Sequence, residues 1–234
     1  MSADETILAE QRDYYDHRAD EYDEWFYRRG RYFRGDEATR TWFEEVEQVR
    51  SSFLDVPWRN ARVLEMAPGT GIWSEWLIDQ GAVLSVVDAS SAMLGHLRAR
   101  LGERVNDVNI EVADLFSWSP PSTFDAVFFG FFVSHVPLVQ LTQFFDVVAS
   151  ALRPGGHVAF IDSRRDATST AVDHVLPSVH DEVMIRRLND GREFQIVKNF
   201  YSPQELSSAA LSAGLNIHVQ QSANYFVFGT GTRT

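Results

Sequence analysis

The chain has no cysteine among its 234 residues. That absence removes disulfides, thiolate metal sites and a thiol nucleophile, and it suits a reducing cytoplasm, which is the expected setting. Positive charge is also scarce, with 21 Lys and Arg against 33 Asp and Glu and a formal net charge of −12 at pH 7. Such a field repels phosphate backbones and anionic bilayers, so neither nucleic acid nor membrane is an expected partner and a small molecule is favoured. No apolar run reaches the roughly twenty residues that span a bilayer, and the acidic stretch Met1 to Glu10 lacks the basic region and apolar core of a secretory leader. The seven His are scattered without a paired spacing such as H-E-x-x-H, so no metal site is expected. Low-complexity linkers and breaks in composition are missing too, and the length suits one domain with a sizeable core.

What the chain does have is a strand, a glycine turn and a helix start from Arg62 to Trp76. Val63 and Leu64 open an apolar run, Gly69 and Gly71 allow backbone geometry and close approach, and Ile72, Trp73, Trp76 and Leu77 recur at helical spacing. A ligand can lie against bare backbone at such a helix N-terminus. About twenty residues on, Leu84 to Asp88 is a second β-rich run that ends in a carboxylate, placed where a doubly wound sheet would accept ribose hydroxyls. A nucleoside ligand follows from the pair.

The remainder of the turn separates the nucleosides. A pyrophosphate wants G-x-G-x-x-G and no nearby anion, whereas here Ser74 replaces the third glycine and Glu65 ends the strand. A carboxylate repels a diphosphate and attracts an ammonium or sulfonium. On Glu65 to Gly71 the sequence resembles the class I S-adenosylmethionine-dependent methyltransferases, whose first motif is an acidic residue followed by G-x-G. Pro68 stands where many relatives have Cys or Gly.

The resemblance extends along the chain. Tyr15 to Asp23 is similar to a segment that lies over the cofactor as a lid, which makes Tyr15 and Tyr22 cofactor contacts and lets Trp25 and Tyr27 wall the acceptor pocket. It also implies cofactor roles for Thr70 in the turn, for Ala89 beside Asp88, and for Met93 on the adenine face. Asp114 and Leu115, after a third strand at Asn109 to Val112, are then the adenine binders. Phe124 to Phe131 is too apolar for a half-exposed strand and resembles the family's fourth motif; Gly130 gives backbone access to the methionine part, and His135 lies near the methyl group. Pro154-Gly155-Gly156 is read as a tight turn before a fifth strand, without a ligand role. Thr6 to Tyr27 reads as one helix, and the Arg28, Arg29, Arg31 and Arg34 cluster as helix surface salt-bridged to the acids that follow.

Val183 to Leu188 and Glu193 to Lys198 flank Asn189-Asp190-Gly191-Arg192, a strong hairpin signal, and the hairpin is expected over the sheet edge. Together with Ser134-His135-Val136-Pro137, this segment resembles the small bacterial group that contains the dehydrophos phosphonate O-methyltransferase. That likeness implies Arg186, Lys198 and Tyr27 as acceptor-binding residues. The fold expected is α/β: a Rossmann-like seven-stranded sheet with helices on both faces, an N-terminal helical lid (1–56), a cofactor-binding core (57–163), a substrate-side insertion with the hairpin (164–200), and a C-terminal helix and strand pair (201–234). The cofactor is S-adenosyl-L-methionine, the partner a small-molecule methyl acceptor, the assembly a monomer or homodimer. Anionic acids suit two fixed cations. A phenol or amine acceptor with His135 as base, a dehydrogenase, and a cofactor-binding subunit without turnover stay open as alternatives.

Overall fold

The computed structural model describes residues 3–178 and 181–234. Seven strands form one sheet: β1 (Arg62–Met66), β2 (Val83–Asp88), β3 (Asn109–Val112), β4 (Phe124–Gly130), β5 (Leu152–Ser163), β8 (Leu215–Gln221) and β9 (Phe226–Arg233). Their order is β3-β2-β1-β4-β5-β9-β8, parallel from β3 to β5, with β9 antiparallel to both β5 and β8. The strands read as continuous apolar runs because both sheet faces are covered, alternate residues going to opposite sides. Val63, Val86, Ala126 and Phe128 pack with Trp42, Val46, Trp73, Leu77 and Leu97 from α3 (Asp36–Ser52), α4 (Ile72–Asp79) and α5 (Ser91–Leu101). Leu64, Met66, Val127 and Phe129 pack with Phe144, Val148, Leu206 and Ala210 from α6 (Leu141–Ala151) and α7 (Pro203–Ser212). The order reverses between β1 and β4, and open sheets of this kind bind ligands in the crevice beyond the strand ends there.

Several boundaries differ from the sequence reading. The first helix is broken into α1 (Ala3–Arg18), a 3-10 turn (Ala19–Glu21) and α2 (Tyr22–Phe26). Tertiary contacts override the helical pattern, because Asp20 reaches His96 and Asp23 reaches Arg100 on α5 while Tyr14 packs on the opposite side. Pro154-Gly155-Gly156 lies inside β5 as an irregularity in its register with β4, with Gly155 at φ +70°, so the turn is a bulge in a continuous strand.

The hairpin strands β6 (Val183–Arg187) and β7 (Glu193–Val197) make a separate two-stranded sheet. It does not cover a sheet edge. Met184, Phe194 and Ile196, together with Leu188 beyond β6, pack around Tyr14 of α1 in a third apolar core, so the hairpin extends the lid. The basic cluster is likewise not salt-bridged helix surface. Arg28 donates to the carbonyls of Thr168 and Ser169, and Arg34 to those of Ala167, Thr170 and Ala171, while Arg31 pairs with Asp173. An irregular loop exposes carbonyls that no ladder satisfies, and the guanidinium fork supplies several donors at once.

On the far face, buried Glu45 of α3 accepts from Ser222 Oγ, from Asn224 N (3.0 Å) and Nδ2 (2.6 Å), and from Tyr225 N (2.9 Å), which fixes the β8–β9 turn. Glu45→Ala strands those donors, and a loss of about 2–4 kcal/mol in urea unfolding is expected; a loss under about 1 kcal/mol would mean that the carboxylate does not hold the turn.

Candidate active site

The tips of β1, β2 and β4 converge on one cleft. Ala67 (φ +52°) and Phe131 (φ +59°), which follow β1 and β4, adopt left-handed backbone that side chains disfavour by about 1–2 kcal/mol each. Both line the cleft, and strain of this kind collects where a backbone must be re-aimed at a ligand. Gly69 and Gly71 share that conformation, at +57° and +85°.

Of the residues predicted for the cofactor, Tyr15, Tyr22, Gly69, Asp88, Ala89, Asp114, Leu115 and Gly130 line this cleft together, and so does His135. Glu65 lines a smaller recess that shares Tyr22, Ala67, Gly130 and Phe131 with it. Thr70, Gly71 and Met93 are not brought to either wall. Thr70 Oγ1 donates to Asp23 (2.6 Å), Gly71 lies so close to α5 that a Cβ would meet Leu97 at 3.0 Å, and buried Met93 has its backbone N–H held by the Ser90 cap (3.0 Å). Thr70 and Gly71 thus hold the turn against α2 and α5. Phe116 and Phe132, absent from the sequence reading, form an aromatic pair on the wall with centroids 6.1 Å apart.

The electrostatics of the cleft are acidic. Asp88 accepts from Gly69 N (3.1 Å) and Ser90 N (2.9 Å), yet burial pushes its carboxyl up to about 6. Burial drives Glu65 further, to about 8, against the lowering effect of a 2.5 Å hydrogen bond from Ser74; nearby Asp88 adds to the rise. Neither acid has a cationic partner among the described residues. Among the described residues Trp73 Nε1 is a buried donor without a partner, beside a Gly130 whose added Cβ would stand 3.0 Å from the indole. A dry acid, an unused N–H and bare glycine backbone fit the ammonium and carboxylate of an amino-acid-bearing nucleoside. Asp114 accepts from Arg12 of the lid (2.8 Å) and from Phe116 N (3.0 Å).

The lid is fastened on two sides. Asp16 meets the Ser90 hydroxyl, Asp20 meets His96 (2.9 Å) and Asp23 meets both Thr70 and Arg100, so the acids of the N-terminal segment grip α5 and the glycine turn. On the other side Gln11 donates to the His135 carbonyl (3.2 Å) and accepts from Val197 N (3.0 Å).

A second cavity lies under the lid and shares Tyr15, Tyr22, Phe131 and His135 with the first. It is lined by Arg18, Arg186 and Lys198, with Trp25, Ser163 and Thr170. Lys198 is the one lysine of the chain. It donates to Ser134 Oγ (2.7 Å) and sits 3.7 Å from Asp162; burial lowers it to about 8 despite that carboxylate. Arg186 donates to Thr170 Oγ1 (2.7 Å) and His174 Nδ1 (2.9 Å). Tyr27 is turned elsewhere, its hydroxyl accepting from Arg100 of α5 (3.0 Å), whereas Trp25, expected beside it, lines the cavity. Arg18 is absent from the sequence reading; the available signal was an arginine set among the tyrosines and acids of the N-terminal segment.

His135 is buried between the cavities. Nδ1 lies 2.7 Å from the Val197 carbonyl, which can only accept, so it carries the proton and Nε2 accepts from Tyr15 OH (2.7 Å). Burial first, and then the Lys198 charge, hold the imidazole well below its ordinary value.

A seven-stranded sheet reversed at its last strand, with one buried acid near the end of β1 and another at the end of β2 around a glycine turn, is the arrangement expected of a class I methyltransferase. A methyltransferase-domain family model matches residues 63–156. The ubiquinone biosynthesis O-methyltransferase of Thiobacillus denitrificans is 29% identical over 175 residues, 73% of this chain and 72% of that protein. Structures of DhpI align over nearly the whole chain: the complex with SAM and HEP at TM-score 0.77 and 29% identity (96% of this chain, 97% of that one), and the SAH complex at TM-score 0.74. The chain is an S-adenosylmethionine-dependent methyltransferase that resembles DhpI.

Because Glu65 and Asp88 are both raised above their unfolded values, the folded protein holds their protons more tightly. The stability they lend is complete below about pH 4 and is lost as pH rises, through about 6 for Asp88 and about 8 for Glu65. Chemical denaturation of the unliganded protein should show stability falling from about pH 5 to 8, and Glu65→Gln should flatten the upper half of that decline. An unchanged slope in the variant would refute the assignment.

Proposed function

We propose that the protein transfers a methyl group to an acidic oxygen of a small molecule, a phosphonate or carboxylate. One observation carries this reading: two cations, Arg186 and Lys198, are buried in a cavity that shares four residues with the cofactor cleft, so an anion held by them lies beside the cleft. In the same reading Glu65 receives the ammonium of the cofactor, Asp88 its ribose hydroxyls, and Asp114 with Leu115 its adenine, while residues 1–56 act as the lid.

S-adenosylmethionine supplies a methyl group on a positively charged sulfur. The chain's part is to bind, align and dry the reactants, and alignment alone supplies on the order of 7–11 kcal/mol in well-oriented systems. Tyr15, Tyr22 and Phe131 form the shared wall through which acceptor and donor meet. An acid oxygen is already deprotonated at neutral pH and needs no base. That agrees with His135, whose Nε2 is occupied by the Tyr15 hydroxyl and whose imidazole is a poor proton acceptor in its buried, cation-flanked place. His135 then serves to orient Tyr15 rather than to take a proton. Its place between the two cavities favours a second reading, a phenol or amine acceptor with His135 as base, but that reading requires Tyr15 to release it.

Incubation with methyl-labelled cofactor and a panel of phosphonates, carboxylates, phenols and amines decides between them. Transfer to acids is expected; transfer confined to phenols or amines would overturn the acid reading. With an accepted acid, Arg186→Ala and Lys198→Ala should each raise KM about tenfold or more. The pH profile of kcat/KM should shift when an acceptor of different acidity is used. An inflection that stays fixed while the acceptor changes, and vanishes in His135→Asn, would restore the histidine as base.

A further inference from the structure

We infer that Arg18 is the charge-selecting residue of the acceptor cavity, a third cation carried by the lid that makes the site prefer a doubly charged acid to a singly charged one. The inference rests on the acid-acceptor reading above. The cavity wall holds three cations, Arg18, Arg186 and Lys198, and among the described residues only Lys198 has a carboxylate within ion-pair distance, Asp162 at 3.7 Å. Among the described residues neither Arg18 nor Arg186 forms an ion pair, and both are more than nine-tenths buried. Two positive charges are left over.

Arg18 is held without being neutralised. Its guanidinium lies 4.9 Å from the ring centre of Tyr22, 5.5 Å from Tyr14, 5.9 Å from Tyr32 and 6.0 Å from Tyr15, so aromatic faces replace the lost water. It donates to Tyr32 OH at 3.3 Å, and its Nε has no partner. The acid near it on the lid, Glu21, is engaged by the backbone N–H of Asn189 (2.9 Å). A buried guanidinium with donors to spare on a cavity wall is costly unless an anion completes it. Arg186 and Lys198 come from the hairpin side, whereas Arg18 ends α1, so the third charge arrives with the lid.

The selectivity has a consequence for turnover. In the transfer an oxygen lone pair of the acceptor forms the new O–C bond, the S–C bond breaks with its electron pair kept by sulfur, and the acceptor passes from two negative charges to one. The product then matches the three cations less well than the acceptor did. Release after a single methylation follows, and the monoester is a poor acceptor for a second.

The test is calorimetric titration of the protein, saturated with S-adenosylhomocysteine at pH 8, with methylphosphonate, with its monomethyl ester and with acetate. The wild-type protein should bind methylphosphonate about a hundredfold more tightly than the monoester. Arg18→Gln should reduce that ratio to about tenfold or less, with affinity for the monoester changed by less than about threefold. Arg18→Lys keeps charge and stem and should hold the preference within about threefold of wild type, which keeps the test open if the glutamine variant misfolds. Equal weakening of both ligands, no change in either, or loss of the preference in Arg18→Lys would overturn the selecting role while leaving the acid reading intact. Wild-type protein that binds none of the three acids would overturn the acid reading and this inference with it.

Discussion

Taking a charge out of water without a counter-charge is among the largest penalties a fold can carry, and this protein does it on both sides of one aromatic wall. On the sheet side Glu65 and Asp88 are buried acids with no cationic partner among the described residues. On the lid side Arg18 and Arg186 are buried cations with no anionic one. Tyr15, Tyr22 and Phe131 stand between. Local packing could have neutralised these groups against each other and does not. The separation leaves an acidic compartment and a basic one on the two sides of a shared wall, and the proposed acid acceptor rests on that pattern of charge.

That partition depends on the lid being held in register with the sheet. The acids of α1, the 3-10 turn and α2, which as a sequence look like solvent-facing charge, are spent on α5 and on the glycine turn through Ser90, His96, Arg100 and Thr70. Gln11 and Tyr15 tie the other flank to the backbone and side chain around His135. The hairpin joins the same body through Phe194, whose ring meets Tyr14 of α1. Arginines from the loop after the lid satisfy the carbonyls of the insertion, so the roof over the second cavity is one fastened unit built from two distant stretches of chain. Water exclusion follows from that closure, and dryness strengthens every electrostatic contact within.

The legible part of the site is the part made locally. Glu65, Gly69, Asp88, Ala89, Asp114, Leu115 and Gly130 each lie at the end of a strand whose apolar run announces it, and strand ends converge by the topology of a parallel sheet. Thr70 and Gly71 sit in the same motifs but face Asp23 and Leu97, because a motif fixes the path of the backbone and not which neighbour each residue meets. Tyr27 departs from expectation for a related reason: after the break at Ala19 to Glu21 its hydroxyl meets Arg100 of α5, while Trp25, expected beside it, lines the cavity. Arg18 had no periodicity to mark it, since its burial depends on four tyrosines from three turns of helix and a loop.

The sequence by itself determined the strand and helix order, the glycine turn, the two acids at the tips of β1 and β2, and the hairpin, because each is set by propensity, apolar spacing or turn chemistry over a few residues. Only the tertiary structure decided that the hairpin joins the lid instead of an edge, that His135 gives its free nitrogen to Tyr15, and that Arg18, Arg186 and Lys198 share a cavity. Those outcomes bring together residues far apart in the chain, such as Tyr15 with His135 and Arg18 with Arg186, and their energies come from burial and charge, which exist only once the chain has closed on itself.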